Sequence, residues 1–183
     1  KAPQAQAITH FSRALGAARS SDVAAAQVDI DKLKELRTAL EKAGQPYWAG
    51  QIEVQILGAQ AWVAQAQGSK EDALKFMRAA ADLEDASEKH VAMENRLYPM
   101  RELLGDMLMV QGQASAALKE YEASVKNTPM RLRGFYGAAK AAEASGETKK
   151  ARDYFNKLAS LTRKADSDRP ELREMKQRLT SSK

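Results

Sequence analysis

The sequence predicts an all-α chain of stacked helical hairpins, and three observations carry that expectation. Alanine fills 34 of the 183 positions. Val, Ile and Thr together fill only 17, a composition that suits helices better than the pleated, half-buried surface of a sheet. Gly112 and Gly146 stand 34 residues apart within a matching order of small and large side chains, the mark of a repeated helix–turn–helix unit. The length allows one domain or one small repeat array.

The clearest copy reads Arg101-x-x-Leu104-Gly105-x-x-Leu108, then Gly112, then Ala117-x-x-x-Tyr121, then Pro129. Its neighbour reads Phe135-x-x-Ala138-Ala139-x-x-Ala142, then Gly146, then Ala151-x-x-x-Phe155. Two antiparallel helices approach closely only where one offers Gly or Ala and the other a large side chain. Gly105 and Ala117 therefore make room that Leu104, Leu108 and Tyr121 fill. Gly112 permits the left-handed turn between the helices, and Pro129 stops the second one.

With that register the chain divides into hairpins over about 7–43, 47–87, 98–129 and 132–164, followed by a capping helix over about 168–180, all in one domain spanning 1–183. In the first hairpin Ala14 and Ala17 precede a Ser21-Asp22 turn, and Ala26, Ile30 and Leu33 line the second helix, which runs through Leu36 and Leu40 to the Gly44-Gln45-Pro46 break. In the second, Leu57 and Ala61 precede Gly68, and Ala73, Met77 and Ala80 follow it. Trp48, just after Pro46, is read as packing on the first hairpin, with a surface anchor as the other reading. About ten extra residues near Ser87 to Tyr98 place His90, Glu94, Asn95 and Arg96 in an insertion. Such a departure from a regular repeat sits on one face, often the binding face; a longer second helix or a plain connecting loop is the reading preferred, since repeat proteins tolerate insertions readily. At the end, Ser167 or Asp168 caps a helix that starts near Pro170, and Leu172, Met175 and Leu179 form its one apolar stripe. A stack closes on such a helix, unless it docks to a neighbouring domain.

This order of small and large positions resembles the tetratricopeptide repeat. The run Pro99-Met100-Arg101-Glu102-Leu103-Leu104-Gly105-Asp106-Met107-Leu108, preceded by Glu88-Lys89-His90 and followed by Tyr136-Gly137-Ala138-Ala139-Lys140-Ala141-Ala142-Glu143, is similar to uncharacterised bacterial proteins of that family. The resemblance implies a tetratricopeptide-like α-α superhelix and no agreed activity. It also implies that the chain is the C-terminal part of a larger protein. Its first helices would line a concave groove, whose facing positions fall on Phe11 and Leu15, then Gln55, Gly58, Trp62 and Gln65, then Glu102, Asp106 and Met109, then Arg133, Tyr136, Lys140 and Glu143. That groove would pass from apolar and amide-rich to acidic to basic. A peptide or protein partner would be held there by a few aromatic and Arg anchors. The paired Lys, Asn and Arg with which some family members clamp a C-terminal carboxylate are missing, because Phe11, Leu15, Gly58 and Glu102 hold those slots.

The function expected is therefore a non-catalytic scaffold that binds a protein or peptide in its groove. The alternative is a self-assembly module in which repeat faces or oppositely charged ends join copies into a homo-oligomer. No Gly-rich phosphate loop, H-E-x-x-H or Gly-x-Ser-x-Gly elbow occurs, and the absence of Cys removes thiolate chemistry. His90 and Glu94 share a helix face at a spacing that can ligate metal, but no second His or Cys accompanies them, so no metal and no cofactor is expected. Residues 126–183 hold 15 Lys and Arg against 7 Asp and Glu, and residues 1–125 hold 14 against 17. The basic segment does not read as a nucleic-acid surface, because its charges alternate with Ala, Glu and Asp and lack interleaved aromatic rings. No apolar run approaches the roughly 18 residues of a spanning helix, so no membrane is expected. The sequence leaves the compartment open between the cytoplasm and, after removal of a signal peptide, the periplasm: opening on Lys1 fits either a domain excised from a longer protein or a mature chain whose signal peptide is gone.

Overall fold

In the computed structural model residues 2–87 and 98–181 are described. Among them every regular element is a helix: α1 (Pro3–Arg19), α2 (Val23–Lys42), α3 (Pro46–Ala66), α4 (Lys70–Ala86), α5 (Met100–Val110), α6 (Ala114–Asn127), α7 (Leu132–Ala144), α8 (Thr148–Leu161) and α9 (Pro170–Ser181). The all-α fold of stacked hairpins expected from the sequence is the fold observed. Contacts gather the chain into two compact units, Lys1–Met100 and Arg101–Lys183.

In unit 1, α3 packs on α1, α2 and α4. Its buried residues therefore surround the helix instead of forming one stripe: Ile52, Val54, Ile56, Ala59, Trp62 and Val63 are all buried. A helix covered on most sides must be apolar on most sides, which is why Ile52 to Ala66 is the longest apolar stretch of the sequence. The first hairpin turns at Ser21, in the left-handed region at φ 64°, and Asp22 caps α2 by accepting from the Ala25 N–H at 3.0 Å. The later hairpins turn on glycines, Gly68, Gly112 and Gly146, with φ of 76–83°. Asp29 of α2, only 4% exposed, pairs with His10 Nδ1 at 2.7 Å and Arg13 Nε at 3.1 Å on α1. Arg37 of α2 pairs with Glu53 of α3.

Unit 2 is organised around Tyr121. Its ring lies against Gly105 of α5 and Gly137 of α7; a Cβ at Gly105 would come within 2.7 Å of the ring, and one at Gly137 closer still. Only Gly lets three helices meet at one aromatic side chain. Leu172 and Met175 of α9 complete a core with Phe135, Ala139, Phe155 and Leu158, and Leu179 is partly buried against it. This is the single apolar stripe that the sequence places on the last helix.

Candidate partner-binding site

Two sets of first-helix residues come out of the fold in different states. The first surrounds a cavity of about 450 Å³ between α1 and α3 in unit 1. From α1 come Gln4, Ile8, Phe11 and Leu15, a stripe at helical spacing, with Gly16 and Arg19 above it. From α3 come Trp48, Ile52 and Gln55; Glu84, Tyr98 and Met100 close the far wall. Gly58 underlies this wall, because a Cβ there would stand 3.0 Å from Met100 Sδ and 3.6 Å from the Phe11 ring.

The cavity is apolar with a few polar atoms set into it. Gln4 Oε1 and Gln55 Oε1 are buried and have no hydrogen-bond partner among the described residues. Burying an amide oxygen unpaired costs about 1–3 kcal/mol; both oxygens are out of reach of a water-sized group, so they lie behind the cavity lining and not on it. Glu84, 4% exposed, accepts from the Met100 N–H at 2.8 Å. The Arg19 guanidinium lies over the Trp62 ring at 4.5 Å, so Trp62, itself buried, presents its face to a cation instead of lining the cavity. Trp48 is half-buried in the wall and meets Tyr47 edge to face, with centroids 5.0 Å apart.

The second set lies in unit 2 and is joined to its own helices. Glu102 is 1% exposed; its Oε1 accepts from Arg131 Nε at 2.8 Å, while Oε2 has no partner among the described residues. Asp106 accepts from the Tyr121 hydroxyl at 2.6 Å and from Arg133 Nη2 at 2.9 Å. Tyr136 and Lys140 both donate to Glu174 of α9, at 2.5 and 2.6 Å. Arg178 reaches Glu143 at 3.2 Å. Hydrogen bonds from Lys140 and then Tyr136 hold the Glu174 carboxyl below the usual carboxylate range. Burial and the same carboxylate raise the Tyr136 phenol. Lys140 is raised as well, since burial opposes the charge but the bonds to Glu174 and Glu143 outweigh it.

Of the residues singled out from the sequence, Gln55 lines the cavity of unit 1 and Trp62 stands beneath Arg19, while Glu102, Asp106, Arg133, Tyr136 and Lys140 lie in the ion-paired network of unit 2. His90, Glu94, Asn95 and Arg96 lie outside the described residues. Gln4, Ile8 and Glu84 line the cavity and Arg131 pairs with Glu102, and the repeat register passes over all of them. Gln4 was legible, since Pro3 at a helix start puts Gln4, Ile8, Phe11 and Leu15 on one face. Nothing in the local pattern marks Arg131 or Glu84. Among the described residues no three His, Cys, Asp or Glu side chains converge as a metal set, and no helix is long and apolar enough to cross a membrane.

No protein-family model matches the sequence, and no curated protein matches it. Among solved structures the chain is similar to one described as "Crystal structure of MamA protein", at 17% identity and a TM-score of 0.46, over 86% of this chain and 92% of that one. That likeness lends no residue, partner or activity to the present chain.

Proposed function

We propose that the chain is a non-catalytic helical-hairpin scaffold that takes a peptide segment of a partner protein in the α1–α3 cavity of unit 1. One observation supports this reading: a largely apolar cavity of about 450 Å³ lined by Phe11, Trp48 and Ile52, with the amide side chains of Gln4 and Gln55 among them. A peptide brings an apolar anchor for this lining together with main-chain polar groups for the amide side chains at its edge. Phe11, Trp48 and Ile52 would hold the anchor, and aromatic walls of this kind supply most of the energy at small interfaces. Trp62 contributes by seating Arg19 beside the cavity.

The test is a selection of displayed short peptides on the wild-type chain, followed by titration of the winners. Trp48 and Trp62 are the two tryptophans of the chain, and Trp48 sits in the wall, so bound peptide is expected to shift tryptophan emission. Trp48→Ala is expected to weaken binding about tenfold or more. Winners that bind Trp48→Ala and wild type equally well would place the partner site elsewhere.

A further inference from the structure

Independently of the unit 1 cavity, we propose that the outer face of α8 in unit 2 is a docking surface for an acidic segment of a partner protein. Residues 148–164, which make up α8 and the turn after it, hold six Lys and Arg against one acid, Asp153. Ala151, Phe155 and Leu158 are the buried residues of α8, so helical periodicity turns Lys149, Arg152 and Lys157 outward. All three are exposed, as are Arg163 and Lys164 just beyond. Elsewhere in unit 2 most cations are held by acids of the same chain: Arg101 by Glu120, Arg131 by Glu102, Arg133 by Asp106 and Arg178 by Glu143. Lys149, Arg152, Lys157, Arg163 and Lys164 have no carboxylate partner among the described residues.

Folding alone does not account for this charge. The first turn of α8 carries Lys149 and Lys150 and no acid, although the free N–H groups at a helix N-terminus favour anions and disfavour cations. Lys150 is compensated by Glu122 and Glu147, each at 3.2 Å; Lys149 has no such contact among the described residues. A local preference broken without compensation inside the chain points to a demand from outside it, and charge complementarity makes the outside group anionic. A membrane surface does not suit the face, because the exposed large apolar residues among those described, Val28, Leu83, Val110 and Met130, all lie off α8. Nucleic acid does not suit it either: Phe155 is buried, and Tyr154 donates to Glu122 and lies under Lys157 Nζ at 4.8 Å, so no ring is left to stack a base. A carboxylate-rich protein segment needs neither an apolar anchor nor a stacking ring. It needs a row of unpaired cations, which α8 presents.

The probe is a fluorescein-labelled peptide of five Glu-Glu-Ala repeats, titrated with the full chain by fluorescence anisotropy at an ionic strength of about 0.15 M. Lys149→Glu combined with Arg152→Glu is expected to weaken binding about tenfold or more; acids suit the start of a helix, so the fold is kept. Lys42→Glu combined with Lys75→Glu, at two exposed cations of unit 1, makes the same change in net charge and is expected to shift affinity by about twofold or less. Lys149→Gln with Arg152→Gln is expected to fall between wild type and the α8 Glu pair, so the answer does not depend on that pair folding. Equal weakening by the unit 1 pair would overturn the proposal, since net charge alone would then hold the peptide. Absence of binding to wild type would overturn it as well. Labelled duplex DNA that binds wild type more tightly than the peptide does, and is released by the α8 pair, would give the face to nucleic acid and overturn the assignment. A mass by light scattering that rises with concentration in wild type and stays monomeric in the α8 pair would give the face to a second copy, with the same consequence.

Discussion

The first helices of the two units meet the same physical problem and leave it in different states. In unit 1, α1 and α3 border a cavity of about 450 Å³ and bury two amide oxygens that have no partner among the described residues. In unit 2, α5 and α7 spend their polar side chains on their own chain: Glu102 on Arg131, Asp106 on Tyr121 and Arg133, Tyr136 and Lys140 on Glu174. A surface whose polar groups are mostly spent on one another gains little from a ligand, and an open apolar cavity gains from one that fills it. The difference teaches where to look for a partner, and it separates residues at equivalent facing positions: Gln55 lines a cavity and Arg133 is paired with Asp106.

Breaking the ion-paired side should give the largest effect. Arg131→Ala leaves the Glu102 carboxylate buried without its cation, and the chain is expected to lose about 3 kcal/mol or more in urea unfolding followed by circular dichroism. The same glycine-to-alanine change should then have opposite signs in the two units. Gly137→Ala drives a methyl into the Tyr121 ring and is expected to cost about 1–3 kcal/mol. Gly16→Ala meets nothing within 4 Å and is expected to stabilise α1 by about 0.5–1 kcal/mol. Equal effects at the two sites would erase the contrast.

Gln55→Leu removes an unpaired buried amide, so it is expected to raise the stability of unit 1 by about 1 kcal/mol while lowering affinity for a selected peptide. Unfolding followed by tryptophan emission checks it, since both tryptophans belong to unit 1. The smallest effect concerns pH. Glu174 is lowered, so its contribution is complete above the ordinary glutamate range and is lost as pH falls through the lowered value. Lys140 and Tyr136 are raised, so theirs is complete below their ordinary values and is lost as pH rises through the raised ones. A thermal midpoint that is flat around neutrality and falls in strong acid and strong alkali is expected, and Glu174→Gln should blunt the acid limb.

The hairpins were legible because their signals are local. Gly112, Gly146, Pro129 and the alternation of Ala with Tyr121 and Phe155 recur at a fixed period, and each acts within a turn or two of its own position. Gly137 was readable only as a small residue; its closeness to Tyr121, sixteen residues earlier, comes from the packing of α6 on α7. The site was half legible. A facing-position rule finds Gln55 and Trp62, but not whether a polar side chain meets solvent, a neighbouring helix or a cavity. Glu102 shows why: its partner Arg131 is 29 residues away, beyond any helical periodicity. Glu84 likewise meets the Met100 N–H across 16 residues. Pairings of that range are set by the fold.

The central claim is that the α1–α3 cavity of unit 1 is the partner site, and Gly16→Phe tests it most directly. The substitution places a ring in the open space beside the cavity without a clash at its Cβ and removes a helix-interior glycine. The account predicts that a peptide selected on the wild-type chain loses about tenfold or more in affinity for Gly16→Phe while the thermal midpoint stays level or rises. Undiminished affinity in this well-folded variant would contradict it.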